Sequence, residues 1–516
     1  MSEPKLFVTV RNAIPRRVFA YWTGSGWRGN VLLMLPFLAI YYLLLILHEV
    51  WRDEINAWAI AYVSPNLGNL LSRVHYEAHP ALWYVILFAA SRITYAVWML
   101  KLVQALISTG IYLLLALASP FRRYELLLIY GGYYIAFQYT VMCRMYGLEV
   151  LFALAYIWFR TNRPHWLKRN VLWLGLIANV DITAGILATG LLLEYVWDQY
   201  RQRNRSQQPA LRPVGAALAI YAALSAVSLA TLWPARDISW NSSEPLFSQV
   251  GDPLHLGYAT ALWAGLPWYP QTISPASWWP DLNFWPQGFF VPFVLVCYFL
   301  VFRGHRSMAW MFGFVVLAGI TFSHGVSVAA VRHVGIVYVA FLVALWTMRF
   351  REEKISPYAY VLLGAGVLAS LMTLGQQWGR PFTDSAAAAT WIEEQKFEDL
   401  PLFGTTDAEV FPVTERLHRP LYQLDCNCQD MVMTFHHRRD SYKLAKLYDT
   451  AEVARRTAAG MERLSVNRAL LLLNFPLRDE QWREFSRQHV QVVPAARFDR
   501  GLLPDEHYYI YRLFAP

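Results

Sequence analysis

Five side chains that can move protons or hold charge crowd one short stretch of an otherwise apolar chain. Asp53 and Glu54 follow one apolar run, and His75, Glu77 and His79 precede the next. Carboxylates and imidazoles where a membrane helix meets water are costly to dehydrate, so they tend to be functional. A carboxylate there can take the proton of a hydroxyl as a general base. Asp53 has a second reading, as the cap of the helix that begins behind it. Glu54 either assists Asp53 or is a solvated first-turn residue. The alternate spacing of His75, Glu77 and His79 puts all three on one side of an extended segment, whereas a helix would scatter them. They read either as part of a divalent-metal or acceptor site or as an interfacial hydrogen-bonding cluster. Further along, Arg144 with Tyr146 and Arg332 with His333 stand at the edges of apolar runs. A guanidinium offers paired donors that match phosphate oxygens; a helix end anchored by snorkelling is the other reading of Arg144. Asp181 and Glu149 lie in apolar surroundings and each needs a partner, for which these arginines are candidates.

The elements that position these residues follow from composition. Of 516 residues, 56% are hydrophobic and 16% charged, where a soluble protein carries about a quarter charged. The expected fold class is therefore a polytopic α-helical membrane protein with an appended polar part. Aromatics make up 16% of the chain, 22 Trp among them, which suits anchoring at the membrane boundary. The net charge of +9 comes from Arg and Lys beside apolar runs, the pattern of cytoplasmic loops rather than of nucleic-acid binding. Cys143 and Cys297 lie in apolar runs, and Cys426 and Cys428 stand too close for an expected bridge, with no second pair to complete a zinc site.

Charge asymmetry sets an expected topology. A basic N-terminus (Lys5, Arg11, Arg16, Arg17, Arg28) is cytoplasmic and the first span covers 30–47, so the loop 48–78 is external. Two stripes in that loop, Ile55, Trp58, Ala59, Tyr62 and then Leu67, Leu70, Leu71, Val74, predict two amphipathic surface helices split by Ser64-Pro65-Asn66. Spans over 80–97 and 99–118 follow, inward and outward. A short re-entrant element over 124–141 is then needed to keep Arg160, Arg163, Lys168 and Arg169 cytoplasmic after the 147–159 span. A hairpin over 170–199 carries Asn179-Val-Asp181 at its tip, and a span over 213–232 leads to a loop over 234–285. That loop's aromatics (Trp263, Trp268, Tyr269, Trp278, Trp279, Trp285) stack on sugars or sit at headgroups. Spans over 286–302, 308–322, 334–348 and 358–374 complete the membrane module, 1–375, with about 10–13 membrane helices including re-entrant elements. Residues 376–516 alternate strand-like and helical stretches, predicting a small α/β domain outside the membrane. Its His436-His437-Arg438-Arg439-Asp440 run reads as a solvated face.

Asp53-Glu54 just after the first span, two surface helices in the first external loop and a C-terminal domain on the same side resemble the GT-C superfamily of integral-membrane glycosyltransferases. Protein O-mannosyltransferases and lipid A aminoarabinose transferases are members. The resemblance implies a transferase of the bacterial inner or plasma membrane, moving a sugar from a polyprenyl-phosphate carrier to an envelope lipid, glycan or protein at the outer face. It assigns Asp53 as base, and an acidic residue late in the first loop, here Glu77, as a metal holder. Arg144, Tyr146, Arg332 and His333 are the expected donor-phosphate ligands, by their chemistry. A transporter or flippase of lipid-linked glycans would show paired halves with broken helices, and a non-catalytic scaffold has no need of an acidic first loop.

Overall fold

A computed structural model describes residues 16–164, 167–206, 211–236, 252–268, 284–325, 330–405, 407–434 and 450–516. Lys5 and Arg11, Tyr269, Trp278 and Trp279, and the run His436 to Asp440 lie outside them, as does the side chain of Trp285. Six helices among the described residues are long and apolar enough to cross a membrane.

A short helix, α1 (Arg16–Thr23), leads to the first span, α2 (Trp27–Leu47). The loop helices are α3 (Arg52–Val63) and α4 (Leu67–Val74), both where the sequence predicts them. Only α4 is a surface helix. In α3 every residue from Glu54 to Ala61 is buried, so this helix is wrapped by protein rather than laid on lipid.

The crossing pattern differs from expectation in one place. The segment over 80–97 does not cross: α5 (Leu82–Ser91) has ten residues, about 15 Å of helix, half the ~30 Å hydrocarbon core. Arg92 behind it donates to the carbonyls of Ala61 and Tyr62 at the end of α3, and Trp58 donates to Tyr95 O. Both flanks of α5 therefore stay at one end of the bundle. The next span, α6 (Val97–Ala118), runs antiparallel to α2: Lys101 Nζ reaches Ile46 O and Asn30 Nδ2 reaches Ala116 O. Arg123 N then bonds Gly24 O, beside the start of α2.

It follows that 124–141 is not re-entrant. From the N-terminal end it climbs the full bundle as α7 (Arg123–Gly131) and a π-helical turn over Tyr134–Gln138. Its two ends mark the distance crossed: Glu125 pairs with Arg349, while Tyr139 donates to Arg332 O at 2.7 Å. Where the π turn ends, the carbonyls of Tyr139 and Thr140 find a donor in Gln104 Nε2 of α6, at 3.1 and 2.8 Å, since an unpaired carbonyl at membrane depth is expensive. One short helix and one broken crossing thus exchange roles, and the basic clusters still gather at one end.

Beyond Arg144 come α8 (Tyr146–Asn162), α9 (Leu167–Ala178) and α10 (Ile182–Ser206), with Asn179-Val-Asp181 at the expected hairpin tip. Then follow α11 (Leu211–Leu232), α12 (Pro253–Thr260), α13 (Phe284–Phe302), α14 (Arg306–Gly325), α15 (Val331–Val334), α16 (Ile336–Phe350) and α17 (Pro357–Gln377). Trp263 and Trp268 are wholly buried rather than interfacial, with their indole N–H groups on Ser323 Oγ and Tyr298 OH. They pack the bundle and offer no face to a sugar.

After α17 the chain builds a small α/β domain. Its sheet has strand order β3-β2-β1-β4-β6-β5, with β1 (Leu402–Thr405) parallel to β2 (Leu421–Gln423) and β4 (Arg468–Leu473). The antiparallel members are β3 (Cys428–Asp430), β5 (Gln491–Phe498) and β6 (Tyr508–Phe514). Helices α18 (Ser385–Glu394), α19 (Asp407–Arg416), α20 (Glu452–Arg463) and α21 (Asp479–Arg487) flank it. The strand-like runs over 469–474, 490–493 and 508–513 correspond to β4, the start of β5 and β6. Cys426 and Cys428 do form a disulfide across the β2–β3 turn, against the expectation drawn from their spacing. Asn427 between them adopts a positive φ of 51°, the left-handed turn that Asn tolerates and that brings the flanking sulfurs together.

Candidate active site

Helix α3 starts immediately after the first span, and its first turn carries Asp53 and Glu54 on different faces. Their fates differ. Glu54 is completely buried: it accepts from the Trp51 backbone N–H at 2.9 Å, meets His48 Nε2 at 2.9 Å, and takes the Cys143 N–H. It caps its own helix and ties the α7–α8 connection to it. Asp53 keeps 26% of its side chain exposed and pairs with Arg332 Nη2 at 3.2 Å.

Arg144 lies on the other side of the same turn. Its Nη1 donates to the Asp53 backbone carbonyl at 2.6 Å and its Nη2 to His79 Nε2 at 3.2 Å. His79 Nδ1 meets Asp181 Oδ2 at 3.0 Å, so Nδ1 carries the proton and Nε2 is the acceptor that Arg144 needs. Asp181 is itself held by the N–H and hydroxyl of Thr183, at 2.9 and 2.7 Å. The partner that Asp181 requires is therefore a histidine 102 residues away in sequence. Glu149 pairs with neither arginine; both its oxygens are buried without a hydrogen-bond partner among the described residues.

Electrostatics follow from this packing. Burial works against the charge on Asp53, but Arg332 first, then Arg144 and Arg52, outweigh it and hold the carboxyl below its usual range. Burial pushes Glu77 up to about 7, opposed by Arg144 and by the Tyr84 and Asn56 hydrogen bonds. Burial likewise lowers His79, against the pull of Asp181, which keeps the imidazole neutral and its tautomer fixed.

The expected metal cluster does not assemble. His75 turns away to the Trp233 carbonyl at 2.6 Å, Glu77 accepts from Asn56 and Tyr84, and both ring nitrogens of His79 are engaged. Among the described residues no three His, Cys, Asp or Glu side chains converge as a metal would require. This donor set does not fit a divalent ion. His333 Nδ1 accepts the Ala330 N–H at 3.0 Å and caps α15, so Nε2 carries the ring's proton. Tyr146 stacks on Tyr139 with ring centroids 5.7 Å apart, and its hydroxyl has no partner among the described residues.

Asp53, Arg144, Arg332, Glu77 and His79 thus meet at one end of the bundle. Trp51 and Arg52 belong with them and were passed over in the sequence. The Trp51 ring has the guanidinium of Arg332 5.6 Å and that of Arg52 5.5 Å from its centroid. Only their adjacency to Asp53 could have flagged them.

The fold, though not the sequence, has a counterpart among solved structures. A solved structure with this fold is that of ArnT from Cupriavidus metallidurans bound to undecaprenyl phosphate. It is similar to this chain at a TM-score of 0.50 and 13% identity, over 93% of this chain and 97% of that one. At that identity the likeness is one of fold. No family model matches the sequence, and no curated protein matches it either.

Proposed function

We propose that this protein transfers a sugar from a polyprenyl-phosphate-linked donor to a hydroxyl-bearing acceptor of the cell envelope. The observation that carries this reading is the gathering of two arginines and one partly exposed carboxylate, Arg144, Arg332 and Asp53, around a single helix turn. In the reaction, the acceptor oxygen attacks the anomeric carbon and gives its proton to Asp53. The bond from the sugar to the phosphate oxygen breaks, its electron pair leaving on the lipid phosphate, which Arg144 and Arg332 stabilise. Arg332 holds the Asp53 carboxyl down while no donor is present. A donor phosphate competing for that guanidinium releases Asp53 toward a higher pKa, so the base strengthens only when there is a donor to use it on. The Asp181–His79 pair presents Nε2 as an acceptor and so fixes the fork of Arg144. Glu54 and His333 hold backbone in place, and Tyr146 packs on Tyr139. Undecaprenyl phosphate, bound in the solved structure of similar fold, supplies the phosphate headgroup this reading calls for.

We place the N-terminus in the cytoplasm and residues 376–516 outside. Two arguments support that sidedness: Arg160, Arg163 and Arg349 lie at the opposite end of the bundle from Asp53, and the Cys426–Cys428 disulfide belongs in an oxidising compartment. Cysteine accessibility at Pro65, which is exposed, with a reporter fused after Pro516, tests it; labelling only after the cytoplasmic side is opened would overturn it. The reaction itself is tested by mass spectrometry of envelope lipids and glycans from cells with and without the protein, and with Asp53→Asn. A sugar modification lost in both the deletion and the variant is the expected result. An unchanged envelope profile in the deletion strain would sink the transferase reading.

A further inference from the structure

The residue next to the candidate base is gripped by the other domain. Arg52 Nη1 lies 2.8 Å from Glu409 and 2.6 Å from Asp505, and the Arg52 backbone N–H donates to Glu506 at 3.1 Å. Three carboxylates more than 350 residues away in sequence thus converge on the first turn of α3. They are anchored in turn: Tyr508 of β6 donates to Glu409 O at 3.0 Å, and Asn474, just past β4, donates to Asp505 O at 3.1 Å. The chain leaving the last span is stitched to the same loop, with Leu502 N on Pro381 O and Leu503 N on Phe382 O. On the membrane side, the Trp51 ring stands between Arg52 and Arg332. A continuous path therefore runs from the sheet, through the three carboxylates and Arg52, to the pair Asp53–Arg332.

We propose that Glu409, Asp505 and Glu506 of the C-terminal domain are positioning residues of the site: through Arg52 they set the first turn of α3 and so aim Asp53 and Arg332. This rests on the functional reading above and gives the C-terminal domain a part in it. A free helix end frays, because its first N–H groups lack partners. Here one of those groups is capped from another domain. A misplacement of about 1 Å far from the chemistry can cost on the order of 100-fold, so a loosened first turn is felt at the site even though no clamp residue touches substrate.

The test uses the full-length protein in lipid nanodiscs, with undecaprenyl phosphate as the probe. Arg52→Gln, and separately the pair Glu409→Gln with Asp505→Asn, should weaken its binding about tenfold and speed amide exchange at residues 52–55. Protection in β1 and β4 should stay unchanged, which separates a loosened turn from an unfolded domain. Arg52→Lys should restore most of the binding, because one nitrogen of Arg52 makes both carboxylate contacts. The clamp and Arg332→Lys effects should be less than additive, as expected for residues acting through one geometry. Wild-type exchange at 52–55 and wild-type affinity in both clamp variants would overturn the proposal, as would full additivity with Arg332→Lys. If the wild-type protein binds no undecaprenyl phosphate, the functional reading fails, and the exchange measurement alone still decides whether the clamp holds the turn.

Discussion

Two arginine–carboxylate networks sit at opposite ends of the same helical bundle, and they are built differently. At the N-terminal end Glu125 receives Nε of Arg349 at 3.1 Å, its Nη2, the hydroxyl of Tyr360 at 3.0 Å and the Arg122 N–H at 2.7 Å. One guanidinium meets one carboxylate, and Tyr124 completes the ring with contacts to both Arg349 and Tyr360. At the other end Arg332 and Arg52 face the Asp53 carboxylate at 3.2 and 4.0 Å, Arg144 holds its backbone carbonyl, and Arg144 Nε is buried with no acceptor among the described residues. The first arrangement is closed, a lock between α7, α16 and α17. Immediately around Asp53 the second leaves a guanidinium donor over, Arg144 Nε, a geometry that an anion would complete. A buried ion pair is by itself weak grounds for function; the imbalance between donors and acceptors is what separates the two.

The sharpest way to break this contrast is Asp53→Asn. Transfer should fall by about 10²–10⁴, the usual worth of a general base, while undecaprenyl phosphate still binds. A helix cap would not notice the change, since Asn caps as well as Asp, so near-normal turnover would return Asp53 to a structural role. Next in size is Glu125→Ala at the closed end. Leaving Arg349 without its buried partner should cost about 3–5 kcal/mol of stability, read by thermal or denaturant unfolding in detergent, with lipid binding unchanged in the folded protein. Loss of binding without loss of stability would mean that the two ends are not distinct in kind. Arg332→Ala should weaken undecaprenyl phosphate binding by about 2–5 kcal/mol, and Arg332→Lys by less. Equal affinities for Arg332→Lys and wild type would reduce Arg332 to an anchoring charge.

The smallest expected effect is a pH dependence at the open end. Glu77 rises from an ordinary 4.5 to about 7 through burial, so the folded protein holds a proton that the unfolded chain has lost. Its stability contribution is present below about 4.5 and declines as pH rises toward about 7. Glu77→Gln removes that slope, and the difference between wild-type and variant stability should change across that window only. A constant difference over pH would place Glu77 in a wetter site than its contacts with Asn56 and Tyr84 suggest.

Much of this arrangement is legible in the sequence, and the reasons for the failures are specific. Basic residues at the ends of apolar runs mark one end of the bundle because charge avoids hydrocarbon, and that alone puts Asp53, Arg144 and Arg332 together at the other. What charge cannot decide is which of two segments crosses, when 80–97 and 124–141 are both apolar and of similar length. The first is spent on a ten-residue helix; the second holds Gly131, Gly132 and Gln138 yet crosses, because Gln104 supplies donors from a neighbouring helix. Similarly, no local pattern tells Asp53 from Glu54. Their separate roles come from His48 and Cys143 on one face and Arg332 on the other. The match of His79 to Asp181 is invisible for the same reason, since it exists only once the 170–199 hairpin is docked. Spacing argues against the Cys426–Cys428 bridge because it takes no account of a single Asn able to adopt a positive φ.

The broken crossing has a consequence for how the protein is made. A continuous apolar helix can enter the bilayer alone, since its amides satisfy one another. The stretch from Arg123 to Val141 cannot, because its turn ends in carbonyls that find donors only on α6. During synthesis that neighbour emerges first. The insertion machinery must therefore release the two segments sideways as a preassembled pair, or retain the earlier one until the later one arrives. A change at Gln104 would then register first as degradation of the newborn chain.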